Sequence, residues 1–224
     1  MTRLLVLTGV DVEARSLARH LGLASVGGAF PRFAGAGLEV AAVGVGAGHL
    51  AGRLPPPTPA TLVVSAGACG ALAPELTVGA LVVPEAVLAA GGERRPTAAL
   101  AGLGRRGTLL STDRVIEDAA AKSRLWLETG ALAVDMESAA ILAWAAAHGA
   151  PAIVVRGVSD AAGRGVPADL ARVVQDDGRV SPLRAVSAVL ARPGALADAM
   201  ALRAGTAAAL KTVAVALARL QRTP

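Results

Sequence analysis

From Ser138 to Val155 the chain runs 18 residues without a formal charge, a length that could cross a bilayer, but His148-Gly149-Ala150-Pro151 interrupts it. Gly favours the left-handed end of a helix and Pro cannot continue one, so the run divides. The division predicts a helix near 137–148, rich in Ala with Ile141, Leu142 and Trp144, and a buried strand near 152–158. Elsewhere the same alternation recurs. Strands are predicted near 3–8, 38–44, 61–66, 80–87 and 107–111, and helices near 11–21, 46–53, 116–129 and 183–221. Such a pattern calls for an α/β fold of three layers, a central sheet with helices on both faces. At 224 residues it reads as one domain over 1–224, with a basic helical extension at about 183–221.

Two acids flank the divided run. Glu137, in Val134-Asp135-Met136-Glu137-Ser138-Ala139-Ala140, stands at the helix entrance. Asp160, in Arg156-Gly157-Val158-Ser159-Asp160, stands just past the carboxyl end of the strand, the edge at which open α/β sheets bind ligands. Either acid alone reads as an ordinary helix-start or turn residue. Together they put two carboxylates within reach of one pocket.

The first of these segments resembles the Val-Glu-Met-Glu-x-x-Ala signature of the nucleoside phosphorylase and methylthioadenosine/S-adenosylhomocysteine nucleosidase superfamily, and the second its Arg-x-x-Ser-Asp. Further likenesses follow in family order. Leu5 to Ala14 ends in a Glu-Ala pair at Glu13, Ser65 to Leu72 resembles a glycine turn after a strand, Val78 to Val83 a Val-Gly-Asp segment, and Ser111-Thr112-Asp113 a Ser-Gly-Asp. The resemblance spans about residues 3 to 162 and implies a mixed central sheet, no cofactor and a homo-oligomer.

What it implies about chemistry is cleavage of the N-glycosidic bond of an adenine nucleoside. Breaking that bond puts positive charge on the sugar and negative charge on the base, so an acid should protonate the base as it leaves. By resemblance the acid is Asp160, held by Ser159; Glu137 takes the ribose hydroxyls, Met136 packs on the sugar, and Glu13 orients or activates the attacking water. Val134, Asp135 and the turn Gly67, Ala68 and Cys69 are implied substrate contacts. An Asp is ionised at neutral pH in water, so the site is expected to hold Asp160 protonated.

Water and phosphate both remain open as nucleophile. A phosphorylase must neutralise a dianion with Arg, amides and hydroxyls. Arg156 and His49 are the candidate anion contacts, and no Arg lies near Ala68 in sequence, which leans towards hydrolysis. Segments 161–167, 177–180 and 190–196 resemble the hopanoid-associated phosphorylase branch, whose implied substrate is adenosylhopane. Alternatives are a methylthioadenosine/S-adenosylhomocysteine nucleosidase, a general purine nucleoside phosphorylase, and a nucleoside-binding module without catalysis. Gly44-Val45-Gly46-Ala47-Gly48 also raises a dinucleotide-dependent oxidoreductase, but it lacks the full fingerprint.

Composition narrows the partners. With no Tyr and aromatics at 2%, stacking of several bases is excluded, which argues against a nucleic-acid binder. A single cysteine, Cys69, permits no internal disulfide and no zinc cluster, so no metal is expected. Met1 to Thr8 reads as a first strand rather than a secretion signal, and the expected location is cytoplasmic. After Pro182 the chain holds Arg184, Arg192, Arg203, Lys211, Arg219 and Arg222 against Asp198. Leu210, Val213, Leu217 and Leu220 recur at helical spacing there, the pattern of a helix packed on its own domain; the alternative is peripheral contact with an anionic membrane. Gly91 to Pro96 is the segment expected to be a mobile loop.

Overall fold

A computed structural model describes residues 3–166, 173–181 and 194–222. Among the described residues eleven strands form one mixed sheet. Parallel strands β1 (Arg3–Thr8), β4 (Leu38–Ala42), β5 (Thr61–Ala71) and β11 (Ala152–Asp160) make its centre, with β1 between β4 and β5. β5 is the hinge of the architecture. Its first half lies between β1 and β11, and its last residues pair antiparallel with β10 (Ala133–Asp135), which leads to β9 (Thr108–Ser111) and β7 (Ala86–Ala89). Short strands β2 (Ala24–Ser25), β3 (Arg32–Gly35), β6 (Leu81–Val82) and β8 (Arg94–Pro96) complete the edges.

Side chains that alternate along a strand sort themselves between two helical layers. Leu4 and Val6 share one face with Val40, Val64 and Val155, where they meet Leu17 of α1 (Asp11–Leu21) and Leu210, Val213 and Leu217 of α5 (Ala195–Arg222). Leu5, Leu7 and Val63 point the other way, onto Leu50 of α2 (Leu50–Arg53) and Ile141 and Ala145 of α4 (Ser138–Ala147). Each such side chain contributes about 1.5–3 kcal/mol on burial, so α5 completes the core rather than extending from it. By length and hydropathy α5 would also suit a membrane span, but this buried face is spent on the sheet. The first part of the helix expected at 183–221 lies outside the described residues.

Several expectations shift. The presumed glycine turn at 67–70 is strand, because β11 pairs with β5 as far as Gly70. The strand expected at 80–87 divides into β6 and β7 around Pro84, which has no N–H for a ladder. The helix expected at 46–53 is a 3-10 turn at Val45–Ala47 followed by α2. α3 (Ala119–Thr129) starts late, where the Asp118 carboxylate accepts the Ala121 N–H and caps it. Gly91 to Pro96 forms the turn and return strand of a hairpin with β7 rather than a free loop. The break after Ala147 is where the sequence puts it, with Gly149 at φ 68°.

Candidate active site

A cavity of about 380 Å³ opens at the carboxyl ends of β1, β5, β10 and β11. Its walls include Glu13, Ala68, Cys69, Val134, Asp135, Met136, Glu137, Ser159 and Asp160. Four separate segments deliver them. Glu13 lies in the first turn of α1, Ala68 and Cys69 in β5, Asp135 and Glu137 between β10 and α4, and Ser159 and Asp160 at the end of β11 beside a bulge.

Beneath the cavity sits Arg156, 1% exposed, whose guanidinium collects three acids. It lies 2.6 Å from Asp135 and 3.3 Å from Glu137, and donates to Ser65 Oγ at 2.9 Å and to the Ala68 carbonyl at 3.2 Å. Burial alone would lower its pKa, but Asp135, Glu137 and Glu13 together hold it above the ordinary arginine value. Nε has no hydrogen-bond partner among the described residues. Glu13 accepts the Ala68 N–H at 2.8 Å, and burial raises its pKa against the pull of Arg156. Glu137 accepts the Gly46 N–H at 3.3 Å. Burial likewise pushes its carboxyl up to about 7, with Arg156 opposing and Asp135 and Glu13 adding to the rise. The glycine run at 44–48 thus holds a carboxylate by its backbone.

Gly67 allows this convergence. Its φ is +145°, and a Cβ there would stand 2.7 Å from Glu13 Oε2 and 2.9 Å from Arg156 Nη1. Gly67 itself lies outside the cavity lining, under the acid cluster. Asp135 borders the cavity, yet its carboxylate is occupied: Oδ2 takes Arg156, the Ser138 N–H at 3.1 Å and the Ser138 hydroxyl at 2.5 Å, which also anchors the start of α4. An Asp committed in this way positions the cluster instead of reading a ligand. Cys69 is buried in β5, where desolvation drives its thiol far up, so it is no nucleophile. His49 is exposed and absent from the cavity wall, and Arg156 is enclosed by acids; neither expected anion contact faces the cavity free.

The far end of the cavity departs most from expectation. Ser159 Oγ lies 2.5 Å from Asp160 Oδ1 and 3.1 Å from the Cys69 carbonyl. The other oxygen, Oδ2, accepts from the ammonium of Lys122, a residue of α3 that is 1% exposed. Where the sequence reading expects a site that keeps Asp160 protonated, the structure supplies a cation. Sequence reading misses Lys122 because Ala119-Ala120-Ala121-Lys122 looks like an ordinary helix start with a solvated lysine. One signal was available: only Lys122 and Lys211 are Lys among 22 basic residues.

This architecture is the α/β fold of the methylthioadenosine/S-adenosylhomocysteine nucleosidases. A Helicobacter pylori methylthioadenosine nucleosidase mutant, solved with 5′-methylthioadenosine in its active site, superposes with a TM-score of 0.67 over 98% of both chains at 16% identity. The Neisseria meningitidis enzyme in complex with methylthio-immucillin-A gives 0.62 over 96% of this chain and 97% of that one, at 17% identity. In sequence, residues 103–191 match the family described as the Phosphorylase superfamily, a stretch that holds Lys122, Glu137, Arg156 and Asp160 but not Glu13. A futalosine hydrolase of Streptomyces coelicolor is 37% identical over 132 residues, which cover 47% of this chain and 56% of that protein. The match thus spans little more than half the length of that curated relative.

Proposed function

We propose that the chain hydrolyses the N-glycosidic bond of a purine nucleoside modified at its 5′ position. The observation that carries the reading is the charge around Arg156: one guanidinium is shared by Asp135, Glu137 and Glu13, and the Ala68 amide is already taken by Glu13. Three carboxyl groups around one guanidinium give a bound sugar an excess of negative charge once Glu137 and Glu13 lose their protons, and that charge stabilises the cationic sugar of the transition state. A phosphate dianion would meet the same charge and be repelled. Water is therefore the nucleophile, with Glu13 taking its proton, Glu137 accepting the ribose hydroxyls, and Asp160 passing a proton to the base. The hydrolase activity named for the Streptomyces relative agrees with this choice.

The resemblance implies adenine as the base, and adenosylhopane remains among the 5′-modified candidates because of the likeness of segments 161–167, 177–180 and 190–196 to the hopanoid-associated branch. Pro167 and residues 190–193 of those segments fall outside the described residues. An apolar rim of Val115, Ile116, Val166 and Leu202 suits a 5′ group with hydrocarbon character.

The test is incubation with 5′-methylthioadenosine, its inosine counterpart and futalosine, with and without phosphate, followed by separation of free base, free sugar and sugar 1-phosphate. Free sugar in phosphate-free buffer is the expected product. Strict dependence on phosphate would make the protein a phosphorylase, and binding without base release would make it a nucleoside-binding module.

A further inference from the structure

The 11 residues from Leu21 to Pro31 carry no formal charge, and they form the turn of the β2–β3 hairpin. A turn that ends in water ordinarily sets Asn, Asp or Ser beside its glycines. Here Gly27 and Gly28 are flanked by Val26, Ala29 and Phe30, and Val26 is 52% exposed. Between this hairpin and α1 runs a groove of about 910 Å³. Val12 and Val180 line it and Val26 stands between two of its lining residues, Ser25 and Gly27. Three of the nine large apolar side chains exposed among the described residues therefore gather at one place.

The same groove is lined by Arg15 and Arg19, one turn apart on α1, and by Arg179. Arg15 lies 3.5 Å from Asp11 and Arg179 lies 3.4 Å from Asp177, but both arginine side chains are more than half exposed, so these pairs are weak and the positive charge faces water. Arg32, on the hairpin's return strand, is instead taken by Glu39 at 2.7 Å. Arg179 belongs to a strap over 173–181, in which Val174 bridges Val180 and the Gly178 carbonyl accepts the Asp11 N–H. Val174 and Asp176 line the active-site cavity, whereas Arg179 and Val180 line the groove. One strap separates the two.

We propose that this face docks on an anionic lipid surface, with the hairpin tip at Val26 entering the headgroup layer and Arg15, Arg19 and Arg179 set against lipid phosphates. Apolar side chains with a basic collar are the combination that holds a protein at such an interface. Other occupants use half of the patch. A second copy in two-fold contact through the same surface would set these three arginines against their equivalents. A polynucleotide would meet the arginines and leave the apolar tip in water. The contact lies away from α5, whose apolar face is buried on the sheet. It does not depend on the hydrolase reading, but because one strap divides groove from cavity, docking brings the cavity to the bilayer, where a nucleoside with a hydrocarbon 5′ group concentrates.

Flotation of the full chain with vesicles of phosphatidylcholine alone, and of phosphatidylcholine mixed equally with phosphatidylglycerol, tests it. The wild-type protein should float with the mixed vesicles only, and added salt should release it. Arg19→Gln and Arg179→Gln should each weaken binding about fivefold, and Val26→Asp should weaken it further, whereas Arg203→Gln with Lys211→Gln on the exposed face of α5 should float as the parent does. No flotation, equal flotation with both vesicles, or loss only in the α5 variant overturns the proposal. So does a Val26→Asp protein that dissociates from an oligomer yet floats unchanged, which would make the hairpin a contact between copies. A second measurement needs no loss of binding: Val26→Cys labelled with a polarity-sensitive dye, which Cys69 escapes by burial, should shift its emission to the blue on meeting the mixed vesicles. Unchanged emission with the protein bound removes the hairpin tip from the interface and overturns the docking geometry.

Discussion

Asp135 and Arg156 meet at 2.6 Å with both side chains 1% exposed, at the point where β10 ends and β11 passes beneath the cavity. The pair joins the two segments that carry Glu137 and Asp160. Removing Asp135 takes from the buried Arg156 its nearest counter-ion and leaves Glu137 at 3.3 Å as the remaining pair, for a loss of up to about 3–5 kcal/mol. Asp135→Ala also strips the Ser138 contacts that start α4. We expect the urea midpoint of Asp135→Ala to fall by the equivalent of that loss, and activity measured below the transition to fall with it as Glu137 moves. A variant as stable as the parent would show that the pair contributes nothing net.

The Lys122–Asp160 pair predicts a divergence between stability and turnover. Asp160→Asn removes the proposed proton donor to the base, and on that reading kcat should fall by about a hundredfold to ten-thousandfold. It also leaves the Lys122 ammonium buried without its carboxylate, so the single variant should melt early. Adding Lys122→Met removes the orphaned charge and should recover stability without recovering kcat. If the double variant regains turnover, Asp160 is not the proton donor.

Glu137 gives a pH signature. Its folded pKa, raised mainly by burial to about 7, stands above the ordinary 4.5. A carboxyl raised on folding binds its proton more tightly in the folded state, so its stabilising contribution is complete below the unfolded pKa and is lost as pH rises through the folded value. Wild-type stability should therefore fall relative to Glu137→Gln between about pH 5 and about pH 8. Activity should run the other way. In its proposed role of accepting ribose hydroxyls Glu137 needs to be a carboxylate, so kcat/KM should climb through an apparent pKa near 7, to which the raised Glu13 also contributes. Loss of that limb in Glu137→Gln is the expected result; an unchanged profile would detach Glu137 from the rate.

The parts of this arrangement legible in sequence are those that local rules determine. β1, α1, α4 and β11 follow from apolar period and from the Gly149-Ala150-Pro151 stop, and family order placed Glu13, Glu137 and Asp160 along the chain. The short edge strands β2, β3 and β8 carry too few residues for a period to show. The electrostatics were hidden for a different reason. Arg156 sits in an apolar strand, and nothing local says that three acids from other elements will enclose it. Lys122 lies 38 residues from Asp160, and only the packing of α3 against the end of β11 reveals which carboxylate it meets.

Gly67 offers the sharpest test of how the acids are brought together. It sits in β5 at φ +145°, a conformation that costs a residue with a side chain about 1–3 kcal/mol. Gly67→Ala adds to this a methyl group 2.7 Å from Glu13 Oε2, far inside contact distance, while the Ala68 N–H that fixes Glu13 is the next residue's own amide. The carboxylate must swing away, and with it the group proposed to take the proton from water. Because Glu137 and Asp160 stand on other strands' ends, nucleoside binding should weaken less than turnover. We expect Gly67→Ala to lower kcat by more than it raises KM, and a crystal structure of the variant to show the Ala68 N–H to Glu13 bond broken. Unchanged kinetics in a folded Gly67→Ala protein would mean that Glu13 does not handle the nucleophile.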